Sequence, residues 1–239
     1  MASTIVACKP VPKCFNPVLW LTGDNPNGNQ VTPANNSSLS QWTDCSGLGN
    51  HATQSTGGSQ PIFKTNQQNG LSTINFNGSS QFMNFSNIGG YFSNSMTCFI
   101  VSNAATTALS SGIFMVNVAS SSNRISIAYP WNDGNYYFDF GNISGGGRLS
   151  GADGQSTGSY FINSFLVTPG TGMKIYSGNT VIYSNGTTST VSALSSGTLC
   201  NSSTNYWSGS IGEIILYNTA LSSSQITAIY NYLHKKWNV

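Results

Sequence analysis

The end of the chain constrains its fold most. From Trp207 to Tyr217 the sequence reads as a strand, and Ile214, Ile215, Leu216 and Tyr217 are consecutive. Apolar residues on both faces mark a strand covered on each side, so this one is expected to be central. Five residues later Ser222 precedes Gln225 by three, the spacing of a capping box, in which the serine oxygen and the glutamine side chain satisfy each other's free backbone N–H groups. A helix starts there. Ile226, Ile229, Tyr230, Leu233 and Trp237 recur at spacings of three and four, which places them on one stripe that must dock against something apolar. Lys235 and Lys236 fall in the last turn, where the helix dipole favours cations.

Upstream, short alternating or apolar segments follow one another between Gly, Pro, Asn and Ser punctuation. Pro17–Leu21, Met96–Ser102, Gly112–Val118 and Tyr160–Val167 read as single strands, with Asn142–Gly158 as a Gly- and Ser-rich loop. Three hairpins are expected: Leu71–Phe76 with Gln81–Phe85 around Asn77-Gly78, Arg124–Tyr129 with Asn135–Phe140, and Met173–Tyr183 turning at Gly178-Asn179. About a dozen strands and one helix predict an all-β, two-sheet antiparallel sandwich, not an α/β plan. Residues 1–15, with Pro10 and Pro12, read as an extended N-terminal arm, and residues 16–239 as one domain.

Charged residues make up 6% of the chain, against roughly 25% in ordinary globular domains. Its polar surface must therefore be built from Ser, Thr, Asn, Gln and Gly. A net charge of +2 with scattered Lys and Arg supplies no basic stripe, which argues against nucleic acid as a partner. The first ten residues lack a charged and apolar leader, and no apolar run is long enough to cross a membrane, so neither a signal peptide nor membrane insertion is expected. The five cysteines have no metal-ligand spacing; Cys98 reads as a buried core residue, and a Cys8–Cys14 bridge stays open.

Four sets of residues stand out: Leu19-Trp20-Leu21, Trp42-x-Asp44-x-Ser46-Gly47-x-Gly49-Asn50-His51-Ala52, Ile74–Ser79, and Gly209-x-Ile211-Gly212-Glu213-Ile-Ile-x-Tyr217 through Leu221-Ser222 and Tyr232–Trp237. Together they resemble the laminin-G-like modules of the concanavalin A-like lectin/glucanase superfamily. The resemblance implies a jelly-roll sandwich that serves as a sugar-binding or adhesion module, of the type found in phage and large-virus structural proteins. Some members carry a calcium at the rim. Trp42 and Trp207, inside these motifs, are expected to pack.

Catalysis is not expected. Retaining glycosidases need two carboxylates about 5 Å apart, and the chain has one glutamate, Glu213, with no carboxylate two or five residues on. Its expected role is structural, satisfied by backbone N–H groups or a neighbouring loop. No cofactor is expected; a calcium would have to draw its oxygen ligands from Asp24, Asp44, Asp133, Asp139 or Asp153 with backbone carbonyls, and no EF-hand spacing links any of them. Asp44, with Ser46, Gly47 and Gly49, reads as the cap of a tight turn. Sugar recognition needs aromatic faces and planar polar groups. The richest candidate is the hairpin carrying Tyr129, Trp131, Asn132, Asp133, Tyr137 and Asp139, joined by Arg148. Tyr129 shares its strand face with Ile125 and Ile127, which competes with a surface role.

A wet, uncharged surface without a leader suits a protein made in a host cytoplasm and displayed on a virion. The expectation is a non-enzymatic virion surface protein (capsid decoration, fibre or minor capsid protein), homo-oligomeric, touching other virion proteins and host glycans. The alternatives are a lectin module and, third, a glycan-degrading enzyme.

Overall fold

The computed structural model describes residues 11–107 and 110–239. Its strands are β1 Leu19–Thr22, β2 Gln41–Trp42, β3 Ala52–Thr53, β4 Ile62–Gln68, β5 Leu71–Asn77, β6 Met83–Phe85, β7 Met96–Ala104, β8 Phe114–Val116 and β9 Arg124–Ala128. They continue as β10 Asn135–Gly141, β11 Arg148–Ala152, β12 Phe161–Thr168, β13 Gly172–Ser177, β14 Thr180–Ser184, β15 Gly197–Leu199, β16 Asn201–Ser202, β17 Asn205–Tyr206 and β18 Ser208–Tyr217. Helix α1, Ser223–Trp237, closes the chain.

Two eight-stranded antiparallel sheets form the sandwich. One runs β14-β13-β12-β7-β18-β5-β4, with β1 also on β18; the other runs β11-β10-β9-β8-β15-β6-β3-β2. β18 is central, as its two apolar faces require. It pairs with β7 along one side, and with β5 and then β1 along the other. Ile211, Ile214 and Leu216 point into the core between the sheets, whereas Ile215 and Tyr217 point out toward α1. The expected stripe docks there. Ile226, Ile229, Leu233 and Trp237 are buried against the outer face of the first sheet, and Tyr230 is half-buried. Gly212 makes room for this packing: a Cβ there would lie 2.8 Å from the Trp237 ring. Both halves of the Ser222–Gln225 capping box form.

The Asp44 turn forms as expected. Asp44 Oδ1 accepts from the N–H groups of Trp20 and Ser46, and Oδ2 from Ser46 Oγ and Asn50 N. Trp42 and Trp207 are fully buried, donating to Thr22 O and Tyr129 O. Cys98 is buried too, and burial pushes its thiol well above the usual range.

Three expectations are corrected. Leu71–Phe76 and Gln81–Phe85 are not a hairpin: β5 belongs to the first sheet and β6 to the second. Asn77 Oδ1 accepts from the N–H groups of Ser79, Ser80 and Gln81, so the Asn-Gly turn makes a corner that carries the chain across the sandwich. The Asn142–Gly158 loop contains a strand, β11, paired along β10. At the other end of the sandwich, Tyr183 of β14 lies over Gly151, where a Cβ would come within 2.3 Å of its ring, and donates to Ala152 O. The last five residues of the expected arm, Val11–Phe15, form a 3-10 turn with Pro12 buried and Val11 and Phe15 packed beside α1. Cys8 lies outside the described residues, as does most of the arm. No described helix is long and apolar enough to cross a membrane.

Candidate functional site

Strands β8 to β11 present alternate residues to opposite sides. Ile125, Ile127, Tyr136, Phe138, Phe140 and Leu149 point into the core. The intervening residues Arg124, Ser126, Ala128, Tyr137, Asp139 and Arg148 therefore share the outer face. In register, Asp139 stands opposite Ser126 on one side and Arg148 on the other. These residues, with Met115, Val118 and Trp131, line a cavity of about 260 Å³.

At its base Asp139 is fully buried beneath two arginines. Arg124 donates from Nε at 2.9 Å and from Nη2 at 2.5 Å, both to Oδ2. Arg148 donates from Nε to Oδ1 at 2.6 Å and from Nη2 to Oδ2 at 2.9 Å. Arg124 Nη1 also donates to Val118 O. The Arg124 and Arg148 side chains are 16% and 34% exposed, so the guanidinium groups, not the carboxylate, face the solvent. The Asp139 hydrogen bonds hold the Arg148 guanidinium above its usual pKa, against the lowering effect of burial.

Aromatic rings form one wall. Tyr137 and Trp131 meet edge to face with centroids 5.8 Å apart, and the Arg148 guanidinium carbon lies 4.8 Å from the Tyr137 ring centre. Trp131 sits in the β9–β10 turn, closed by Gly134 N donating to Trp131 O. The Tyr137 hydroxyl donates to Asp133 Oδ2 at 2.6 Å, and this bond lowers the Asp133 carboxyl while raising the phenol.

Of the seven residues expected to form a sugar site, the structure brings Trp131, Tyr137, Asp139 and Arg148 to one cleft. Asn132 and Asp133 are exposed at the hairpin tip beside it, Asn132 donating to Ser110 Oγ. Tyr129 is a correction. It lies on the inner face at 2% exposure, stacked on Phe165, with its hydroxyl 3.1 Å from Ser102 Oγ. Strand parity with Ile125 and Ile127 carries it inward. Arg124 was missed, and the same parity could have found it, because it alternates with those isoleucines.

A larger cavity, about 590 Å³, lies beside α1 and includes Trp20, Asp24, Tyr232 and Lys236. Its charged groups are already matched. Lys236 Nζ is 3.0 Å from Asp24 Oδ1 and 2.8 Å from Glu213 Oε2. The Glu213 expectation is corrected here: side chains satisfy this carboxylate, not backbone or a loop. Oε1 accepts from Trp20 Nε1 at 2.7 Å and the Tyr232 hydroxyl at 3.0 Å, and Oε2 from Trp237 Nε1 at 2.8 Å. Burial works to lower the Lys236 ammonium, yet Glu213 and Asp24 outweigh it and hold it above its usual range. Among the described residues no three His, Cys, Asp or Glu side chains group as metal ligands.

No protein-family model and no curated protein sequence matches the chain. Solved structures do. Domain 4 of AbnA, a GH43 extracellular arabinanase from Geobacillus stearothermophilus, in complex with arabinotriose, superposes with a TM-score of 0.67 at 18% identity, over 90% of this chain and 98% of that one. The receptor binding domain of botulinum neurotoxin D gives 0.61 at 13% identity, over 92% of this chain and 53% of that one. Trypanosoma rangeli sialidase in complex with sialic acid gives 0.56 at 11%, over 92% and 33%. The likeness establishes a shared β-sandwich fold.

Proposed function

We propose that this chain is a non-catalytic carbohydrate-binding module whose cleft on the outer face of β8 to β11 takes a sugar ring against Trp131 and Tyr137. The observation that carries the reading is the cleft: an aromatic wall beside a fixed set of N–H donors, on a chain with few other charged groups. C–H faces of sugars pack on such rings, while planar donors orient hydroxyl or acidic substituents. The arabinotriose bound to a domain of the same fold supports it. So does the commitment of the three buried carboxylates, Glu213 to four side-chain donors, Asp139 to two arginines and Asp44 to the turn it caps, which leaves none of them free as acid or nucleophile.

The laminin-G-like assignment is part of this proposal. It is supported by the structural use of its motif residues: His51 Nδ1 accepts from Asp44 N, and Gly212, Glu213 and Trp237 make one packed unit. A glycan array tests the function. Binding by the wild type that Trp131→Ala weakens by about tenfold or more is the expected result; binding unaffected by Trp131→Ala refutes the cleft. Polysaccharide turnover lost on Glu213→Gln would instead establish an enzyme. Display on a virion is a second reading, favoured by the surface poor in charge, and finding the chain in purified particles would test it.

A further inference from the structure

We infer that the ring selected by this cleft is acidic, a single sugar residue bearing a carboxylate or sulfate that docks on Arg124 and Arg148. The inference rests on the saccharide reading above. The chain has only two arginines, and both converge on Asp139 from opposite neighbouring strands. One would neutralise that carboxylate. The second leaves the lining with one net positive charge, and the next acidic group, Asp133, stands at the hairpin tip against the Tyr137 hydroxyl.

Donor and acceptor supply points the same way. A guanidinium carries five N–H donors and no acceptor. Arg124 spends three of them on Asp139 and Val118 O, and Arg148 spends two on Asp139. The remaining N–H groups have no acceptor left on Asp139, whose two oxygens are covered and occupied. Ser126 Oγ, the hydroxyl in the cleft floor, donates its hydrogen to Met115 Sδ at 3.0 Å, so it adds a single acceptor oxygen and no free donor. The cleft is therefore rich in donors and poor in acceptors. A neutral sugar hydroxyl offers both roles and would find many donors against one acceptor; an ionised carboxylate or sulfate is acceptor-only and meets the guanidinium donors in the charge-assisted geometry that they favour. Size restricts the ligand further. At about 260 Å³, the cavity falls below the roughly 300–1,000 Å³ of sites for drug-sized ligands, so one substituted ring fills it.

The test is calorimetric titration and array binding with matched methyl glycosides: glucose, glucuronate and glucose 6-sulfate, the galactose set, and N-acetylneuraminate, with free acetate and sulfate alongside. At least one acidic sugar should bind about tenfold or more tightly than its neutral partner, a preference that shrinks at high salt. The carboxylate and sulfate arms identify which anion is preferred. Arg148→Gln should reduce the preference to about threefold or less, with Arg148→Lys intermediate; both variants keep Arg124 on Asp139, and their thermal melts check folding. Neutral sugars binding as tightly as acidic ones would overturn the inference and leave the saccharide reading standing. Free acetate or sulfate binding as tightly as the acidic sugars would overturn it too. If no sugar of either class binds the folded wild type, both readings fall.

Discussion

Each sheet of the sandwich holds one buried carboxylate on its outer face, and the two are treated in opposite ways. Glu213, under the helix, meets two indole N–H groups, a phenol and an ammonium, all themselves buried or half-buried. Asp139, on the open sheet, meets two guanidinium groups that keep donors to spare and reach solvent. Closing the first node fastens a helix; leaving the second unsaturated keeps guanidinium donors at the surface, where the sugar cleft is proposed. A buried charge by itself therefore says little about function, and what its partners have left over says more.

The contrast can be broken from either side. Ile229→Asp places an unpaired charge beneath α1, and it should prevent soluble expression; a soluble, cooperatively melting variant would show that the helix is not needed. Glu213→Ala should cost about 3–5 kcal/mol in denaturant unfolding, because Trp20 and Trp237 N–H groups are left without water or partner. Asp139→Ala should cost less, about 1–3 kcal/mol, since Arg124 and Arg148 can turn to solvent. Equal costs would erase the distinction drawn here. Trp131→Ala should weaken sugar binding by about tenfold or more while changing stability by within about 0.5 kcal/mol. The smallest effect concerns Asp153, whose carboxyl burial pushes up from its usual range. Such a group destabilises the fold when ionised: the penalty is absent below the unfolded carboxyl range and grows as pH rises through the folded value. Asp153→Asn should thus raise the melting temperature modestly at pH 7 and lose that advantage below about pH 3.9.

The helix side was legible in the sequence because its signals are local: a capping box, a stripe, and four consecutive apolar residues in β18. Pairing across long separations was not. β5 and β6 each alternate well enough to suggest a hairpin, but β5 pairs back with β4 and β6 with β3, and their other partners, β18 and β15, lie more than a hundred residues on. The cleft was half legible. Residue type drew attention to Trp131, Tyr137, Asp139 and Arg148, but it also drew in Tyr129, which parity sends to the core. β11 hid behind Gly145, Gly146 and Gly147, whose composition reads as loop although Arg148 pairs with Asp139 directly after them. Glu213 could be seen to be structural, yet none of its four donors is near enough in sequence to be guessed.

The 3-10 turn at Val11–Phe15 and the final Val239 pack in the same cluster as α1. The described chain thus enters and leaves on the side of the helix, while the arginine cleft looks the other way. A sensor chip or bead coupled at Val239 would act as a handle held from behind, with the cleft free to meet a glycan approaching from solution.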